Sequence, residues 1–141
     1  MNTIRHAMAA MLLAAGLVLA GPALADKALG EMVELEPAQV QTLKQLRDEH
    51  WPPFQRTRGE YQRQSRALRR AETAGDAVES ERLGRETEAL LAQMQQLRDA
   101  HDDAIRQMLR PDQMAGFEAW LAEREAMVGS SRDSRMLRGG R

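Results

Sequence analysis

Between Asp76 and Leu109 the inward-type positions are Leu83, Thr87, Leu90, Met94, Leu97, His101, Ala104 and Met108, spaced alternately by four and three residues. That is the period of a helix lying along a partner helix. No proline interrupts the stretch, and at 1.5 Å per residue it predicts a rod of roughly 50 Å, too long for a small core to wrap. The segment before it supplies the partner. Phe54, Arg58, Tyr61, Ser65 and Leu68 fall on one helical face, while Arg56, Arg63, Arg66, Arg69 and Arg70 crowd the others. Gly75 offers a C-terminal stop and Asp76 an N-cap for the next helix, which predicts a helical hairpin. Acids at Glu79, Glu81, Glu86, Glu88, Asp99, Asp102 and Asp103 let the second arm answer the basic first arm. Each exposed pair of that kind contributes about a few tenths of a kcal/mol.

Two similar helix starts flank the hairpin. In Leu35-Glu36-Pro37-Ala38-Gln39 the proline suits the first helical position, and Gln39 stands where its side chain can reach back to a free backbone N–H. The helix continues through Val40, Leu43 and Leu46 or Arg47 to His50 and Trp51, where Pro52-Pro53 predicts a kink or short break. Leu109-Arg110-Pro111-Asp112-Gln113 repeats the start, and Met114, Phe117, Trp120 or Leu121, and Met127 come after it at helical spacing. Residues 26–34 carry a weak pattern and are expected to be a flexible lead-in. Gly129 to Arg141 reads as a disordered basic tail. The fold class expected for residues 35–128 is therefore all-α with four helices, and no strand pattern is found after the leader.

The N-terminus has a different character. Arg5 and His6 precede an apolar run from Ala7 to Ala20, then Gly21-Pro22 and the small-residue site Ala23-Leu24-Ala25. This predicts a secretory signal peptide over residues 1–25, cut after Ala25, and hence a periplasmic protein. An uncleaved N-terminal anchor is the alternative; the run is short for a membrane span.

Composition narrows the chemistry. The chain has no cysteine, which removes disulfides, thiolate catalysis and thiolate metal sites. It has 20 basic and 21 acidic residues, a balance that argues against a bulk nucleic-acid binder. Two Phe, two Trp and one Tyr suit a thin helical assembly better than a large globular core. No Gly-rich phosphate loop follows a strand, His-Glu-x-x-His is missing and no carboxylate pair falls in a predicted cleft. The expectation is a protein that is not an enzyme and requires no cofactor.

The two starts resemble the paired Leu-Thr-x-x-Gln motifs of the Spy/CpxP family of small periplasmic proteins, through Leu35, Pro37 and Gln39 and through Leu109, Pro111 and Gln113. The likeness runs from about Leu35 to Met127. It departs at the threonine: Glu36 and Arg110 stand there, and arginine has no acceptor for a cap, a loss of about 1 kcal/mol per helix start. The resemblance implies a four-helix hooked hairpin that pairs antiparallel with a second copy into a curved homodimer. It also implies one of three roles: an ATP-independent chaperone for unfolded or misfolded envelope proteins, a partner of a membrane-bound sensor kinase, or a heavy-metal sensor or resistance protein.

Two sets of side chains could carry such roles. In a hairpin folded about Gly75, residues whose numbers sum to about 150 lie side by side, which brings His50 level with His101, both on the inward stripe. As neutral imidazoles near Asp48 or Glu49 they could hold zinc, nickel, cobalt or copper. The alternative is that they are half-buried packing histidines satisfied by neighbours such as Asp102. The metal-sensor relatives resemble a His-x-x-x-His plus His-x-x-x-Met arrangement, whereas Leu46 and Ile105 occupy the matching positions here. The other set is Phe54, Arg56, Tyr61, Arg63, Arg66 and Arg70, charge for early attraction interleaved with apolar surface for later capture of a client. A solvated basic face that pairs with the following helix is the alternative. Met32, Met94, Met108, Met114 and Met127 supply either an adaptable surface or core filler.

Overall fold

Four helices and one short turn account for nearly all of residues 22–138, the part of the chain that the computed structural model describes. They are α1 (Pro22–Val33), α2 (Pro37–Ala74), α3 (Ala77–Met108), a 3-10 turn (Pro111–Gln113) and α4 (Met114–Arg138). No strand occurs among the described residues. The architecture is all-α, as the periodicity predicts, but the helices are partitioned differently. The two helices expected on either side of Pro52-Pro53 are one, and the fourth helix comes from the expected lead-in.

The proline pair removes the amide donors that would bond the carbonyls of Asp48 and Glu49. Both of those residues are exposed, so water can serve their carbonyls, and buried Leu43 and Phe54 fix the chain before and after the gap. Of the kink or short break expected, the break does not occur: the helix runs through. Gly75 ends it at φ 71°, a left-handed conformation that glycine adopts without a Cβ penalty. The amide of Asp76 bonds the Ala71 carbonyl at 3.0 Å and that of Gly75 bonds the Glu72 carbonyl at 3.2 Å, closing α2. Asp76 then caps α3, its Oδ1 accepting from the Glu79 amide at 3.0 Å.

Contacts divide the described chain into two units, residues 22–44 with 108–138, and residues 45–107. In the first, α1 packs on α4. Leu29, Val33, Leu43, Phe117 and Trp120 are buried there, Phe117 completely, with the Phe117 and Trp120 rings stacked at 5.9 Å and the Arg124 guanidinium over Trp120 at 4.9 Å. Gly116 makes this packing possible, since a Cβ there would stand 2.6 Å from the Met32 carbonyl oxygen. Residues 26–34, expected to be flexible, are thus helical up to Val33, and Leu29 is 1% exposed. The expected tail is corrected too: α4 continues to Arg138, because once nucleated a helix adds one hydrogen bond for each further residue fixed. The body of the expected leader, residues 1–21, lies outside the described residues, as do 139–141.

In the second unit the buried positions of α3 are Leu83, Thr87, Met94, Asp102 and Ile105. The predicted stripe holds as far as Met94 and then moves over by one residue, from His101, Ala104 and Met108 to Asp102 and Ile105. A steady 3.5-residue repeat drifts about 20° per heptad on a straight helix. Leu83, Met94 and Ile105 follow the eleven-residue repeat that tracks a straight helix more closely.

Candidate functional site

The two motif glutamines meet. Gln39 caps α2, its Oε1 accepting from the Glu36 amide at 2.9 Å, and Gln113 does the same for the 3-10 turn through the Arg110 amide at 3.0 Å. Their remaining amide groups bond to each other in both directions, Gln39 Nε2 to Gln113 Oε1 at 2.7 Å and Gln113 Nε2 to Gln39 Oε1 at 2.9 Å. Gln39 also donates to the Met108 carbonyl at 3.1 Å and Gln113 to that of Glu34 at 3.3 Å. Both side chains are buried and every polar atom is used, which is the condition under which buried amides stabilise a fold. Glu36 and Arg110, in place of the two threonines, form an ion pair with each other. Capping was readable from each motif alone; the pairing was not, because nothing local says that one cap is the partner of the other. Leu35 and Leu109 are half-buried, while Pro37 and Pro111 are exposed at the helix starts.

His50 and His101 come together as their numbering predicts. Their rings stack at 4.4 Å with 18° between planes, and an aromatic group adjoins them, Phe54 at 5.4 Å from His50 and Trp51 at 6.2 Å from Phe54. Burial pushes the His50 pKa down to about 4, and the adjacent His101 ring adds to it while Asp102 opposes. At neutral pH His50 is therefore an uncharged imidazole. Among the residues whose side chains are described, no group of three His, Cys, Asp or Glu gathers in a metal-holding arrangement.

The mixed aromatic and arginine stripe separates into two faces. Phe54, Tyr61 and Leu68 are core residues, with Tyr61 only 4% exposed, so they do not interleave with the arginines on the surface as expected. Arg56, Arg63, Arg66, Arg69 and Arg70 are exposed, and Arg58 is half-buried. None of these six arginines has an acidic partner among the described residues. Five of the acids of α3 are engaged by their own helix: Glu79 and Glu86 pair with Arg82, Glu81 with Arg85 and Asp103 with Arg106, while Asp99 accepts from Gln95. Pairs three and four residues apart within α3 thus take up these acids, while Asp102 acts electrostatically on His50 of α2.

No family model matches this chain, nor does a curated protein or a solved structure. Its own surfaces therefore carry the functional reading.

Polar groups are also buried among the apolar core residues of the second unit. Thr57 and Thr87 are buried with their hydroxyls bonded to carbonyls of their own helices, at 3.1 Å to Pro53 and 3.0 Å to Leu83. Tyr61 Oη, Ser65 Oγ and Arg58 Nε are buried with no hydrogen-bond partner. Toward the end of α2, Arg66, Arg69, Arg70, Thr73 and Ala74 line an open concavity of about 480 Å³. Arg69 is absent from the client-binding set expected from sequence, although the Arg69-Arg70 doublet signals a local excess of charge. Of the methionines, Met94 is buried, Met32, Met108 and Met114 are half-buried, and Met127 is exposed.

Proposed function

We propose that this chain is an exported, ATP-independent holding protein of the Spy/CpxP kind, which binds unfolded or misfolded envelope proteins in the periplasm without chemistry. In this reading the helices form a hooked hairpin and two copies join antiparallel into a curved homodimer. The observation that carries it is the arginine face of α2, exposed and unmatched by acid among the described residues, which leaves fixed charge available to a partner. The reciprocal capping of the two motifs supports the family likeness, since it gives the paired glutamines a joint structural purpose. With Phe54 and Tyr61 of α2 inside, attraction to a client comes first from charge, and the apolar part from exposed Val40, Val78 and Met127. Such contact is shallow and lets a folding client leave.

The chain without its leader should suppress aggregation of unrelated denatured proteins near equimolar ratio with no nucleotide present. Absence of suppression across clients of differing charge removes the proposal. Sedimentation equilibrium tests the homodimer, and co-purification with a membrane-bound sensor kinase tests that alternative partner.

A second reading, a heavy-metal-sensing or resistance protein, is favoured by the contact between His50 and His101. Neutral imidazoles are the form that binds zinc, nickel, cobalt or copper, though stacked rings direct their nitrogens along parallel planes and would have to turn to share an ion. Calorimetric titration of each metal decides it: binding unaffected by His50→Ala and by His101→Ala eliminates this site.

A further inference from the structure

We propose that the exposed arginine line of α2 is a docking surface for a soluble linear polyanion bearing phosphates, seated at the Arg66, Arg69 and Arg70 end. The holding function is not required for it.

Three observations lead there. The first is concentration of charge without compensation. Arg66, Arg69 and Arg70 border one concavity, and none is ion-paired among the described residues, although Glu72 lies close by on the same helix. The C-terminal end of a helix carries about half a negative charge, which offsets only a small part of three guanidinium groups. A single carboxylate would leave most of that charge unmatched. A run of phosphates would match it.

The second is the kind of cation. Every member of the line is arginine, whose planar fork binds phosphate oxygens two at a time and is more weakly hydrated than an ammonium group. Arg63 and Arg56 extend the line from the concavity toward the start of the helix. From Arg56 to Arg70 it covers about 21 Å at 1.5 Å per residue, which suits an extended chain better than an isolated ion.

The third excludes a bilayer as the source of the phosphates. Membrane-surface helices bury an apolar face among the lipids. The apolar residues of this segment, Phe54, Tyr61 and Leu68, are already enclosed in the protein, and Val78 is the exposed large apolar residue nearest the concavity in sequence.

The test is fluorescence anisotropy of end-labelled linear polyphosphate titrated with the chain lacking its leader, at low and at moderate salt. Binding should be measurable at low salt and weaken steeply as salt rises, as phosphate contacts do. The variant Arg66→Gln/Arg69→Gln/Arg70→Gln should bind about tenfold more weakly or worse. Arg82→Gln/Arg85→Gln/Arg106→Gln, which removes the same charge from α3, should change affinity by less than about twofold because those arginines are already ion-paired. All of the first set are exposed, and circular dichroism of both variants verifies that helix content is kept. Equal loss in the two variants, no binding at low salt, equal binding of polyglutamate, or capture by anionic vesicles in preference to polyphosphate would each overturn the assignment.

Discussion

The unit built from residues 22–44 and 108–138 and the unit built from residues 45–107 both bury polar side chains, but they treat them differently. In the first, Gln39 and Gln113 are interior and each makes its full set of bonds, to the other and to backbone atoms. The apolar residues of this unit, Leu29, Val33, Leu43, Phe117 and Trp120, are well covered. In the second, Tyr61, Ser65 and Arg58 hold buried atoms without partners, a histidine pair is packed ring on ring with His50 kept uncharged, and Arg56, Arg63, Arg66, Arg69 and Arg70 have no acidic partner among the described residues. An interior polar group without a bond costs about 1–3 kcal/mol, so among the described residues the second unit carries an energetic burden that the first does not. The contrast separates tasks: the end with the motifs is fitted for stability, and the long helices leave charge and polarity available.

Three measurements can break or sharpen that contrast. The largest effect is expected at the glutamine pair. Gln113→Ala takes two bonds from the Gln39 amide and one each from the Arg110 N–H and the Glu34 carbonyl, and should lower unfolding stability by about 1–3 kcal/mol in urea titration. Gln39→Ala should do the same, and the double variant should lose clearly less than the two together. Strict additivity would mean that the amides act as separate caps.

Acid should next single out the second unit. Because the His50 pKa is lowered in the folded protein to about 4, the unfolded chain takes up this proton first as pH drops below its ordinary value of 6.5. Stability is fully present above pH 6.5, declines between 6.5 and 4, and levels off for this group below 4. With the ring only half-buried and screened by water, the loss is on the order of 1–2 kcal/mol. His50→Phe should flatten the profile over that window; an unchanged slope would show that another group titrates there.

The smallest effect has the opposite sign. Tyr61→Phe and Ser65→Ala remove hydroxyls that make no bond, and each should leave the midpoint of thermal unfolding unchanged or raise it, by up to about 1 kcal/mol of stability. A loss of more than that would mean these hydroxyls have partners in solution, and the contrast between the units would narrow.

How much of the molecule could be read from the chain itself depends on the range of each interaction. Caps at Gln39, Gln113 and Asp76 and the stop at Gly75 depend on neighbours within a few residues, and the sequence displays them. The meeting of His50 and His101 needed one turn position and the rise of a helix, and was also legible. The role of residues 22–33 was not. Leu29, Met32 and Val33 make a single apolar turn, too short to register as a helix, and its place to dock comes from the missing side chain at Gly116 far along the chain. Nor could a fixed alternation of four and three anticipate where the buried seam of α3 passes to Asp102 and Ile105. Reading Phe54 and Tyr61 as surface anchors failed because aromatic residues on an arginine-rich helix look alike in sequence whether they turn inward or outward.

The pairing of α1 with α4 also imposes an order of events. A polypeptide made from its N-terminus presents Leu29 and Val33 long before Phe117 and Trp120 exist to receive them. Until α4 has been made, α1 lacks the helix it packs on, so this pairing forms only after the residues between them have been synthesised.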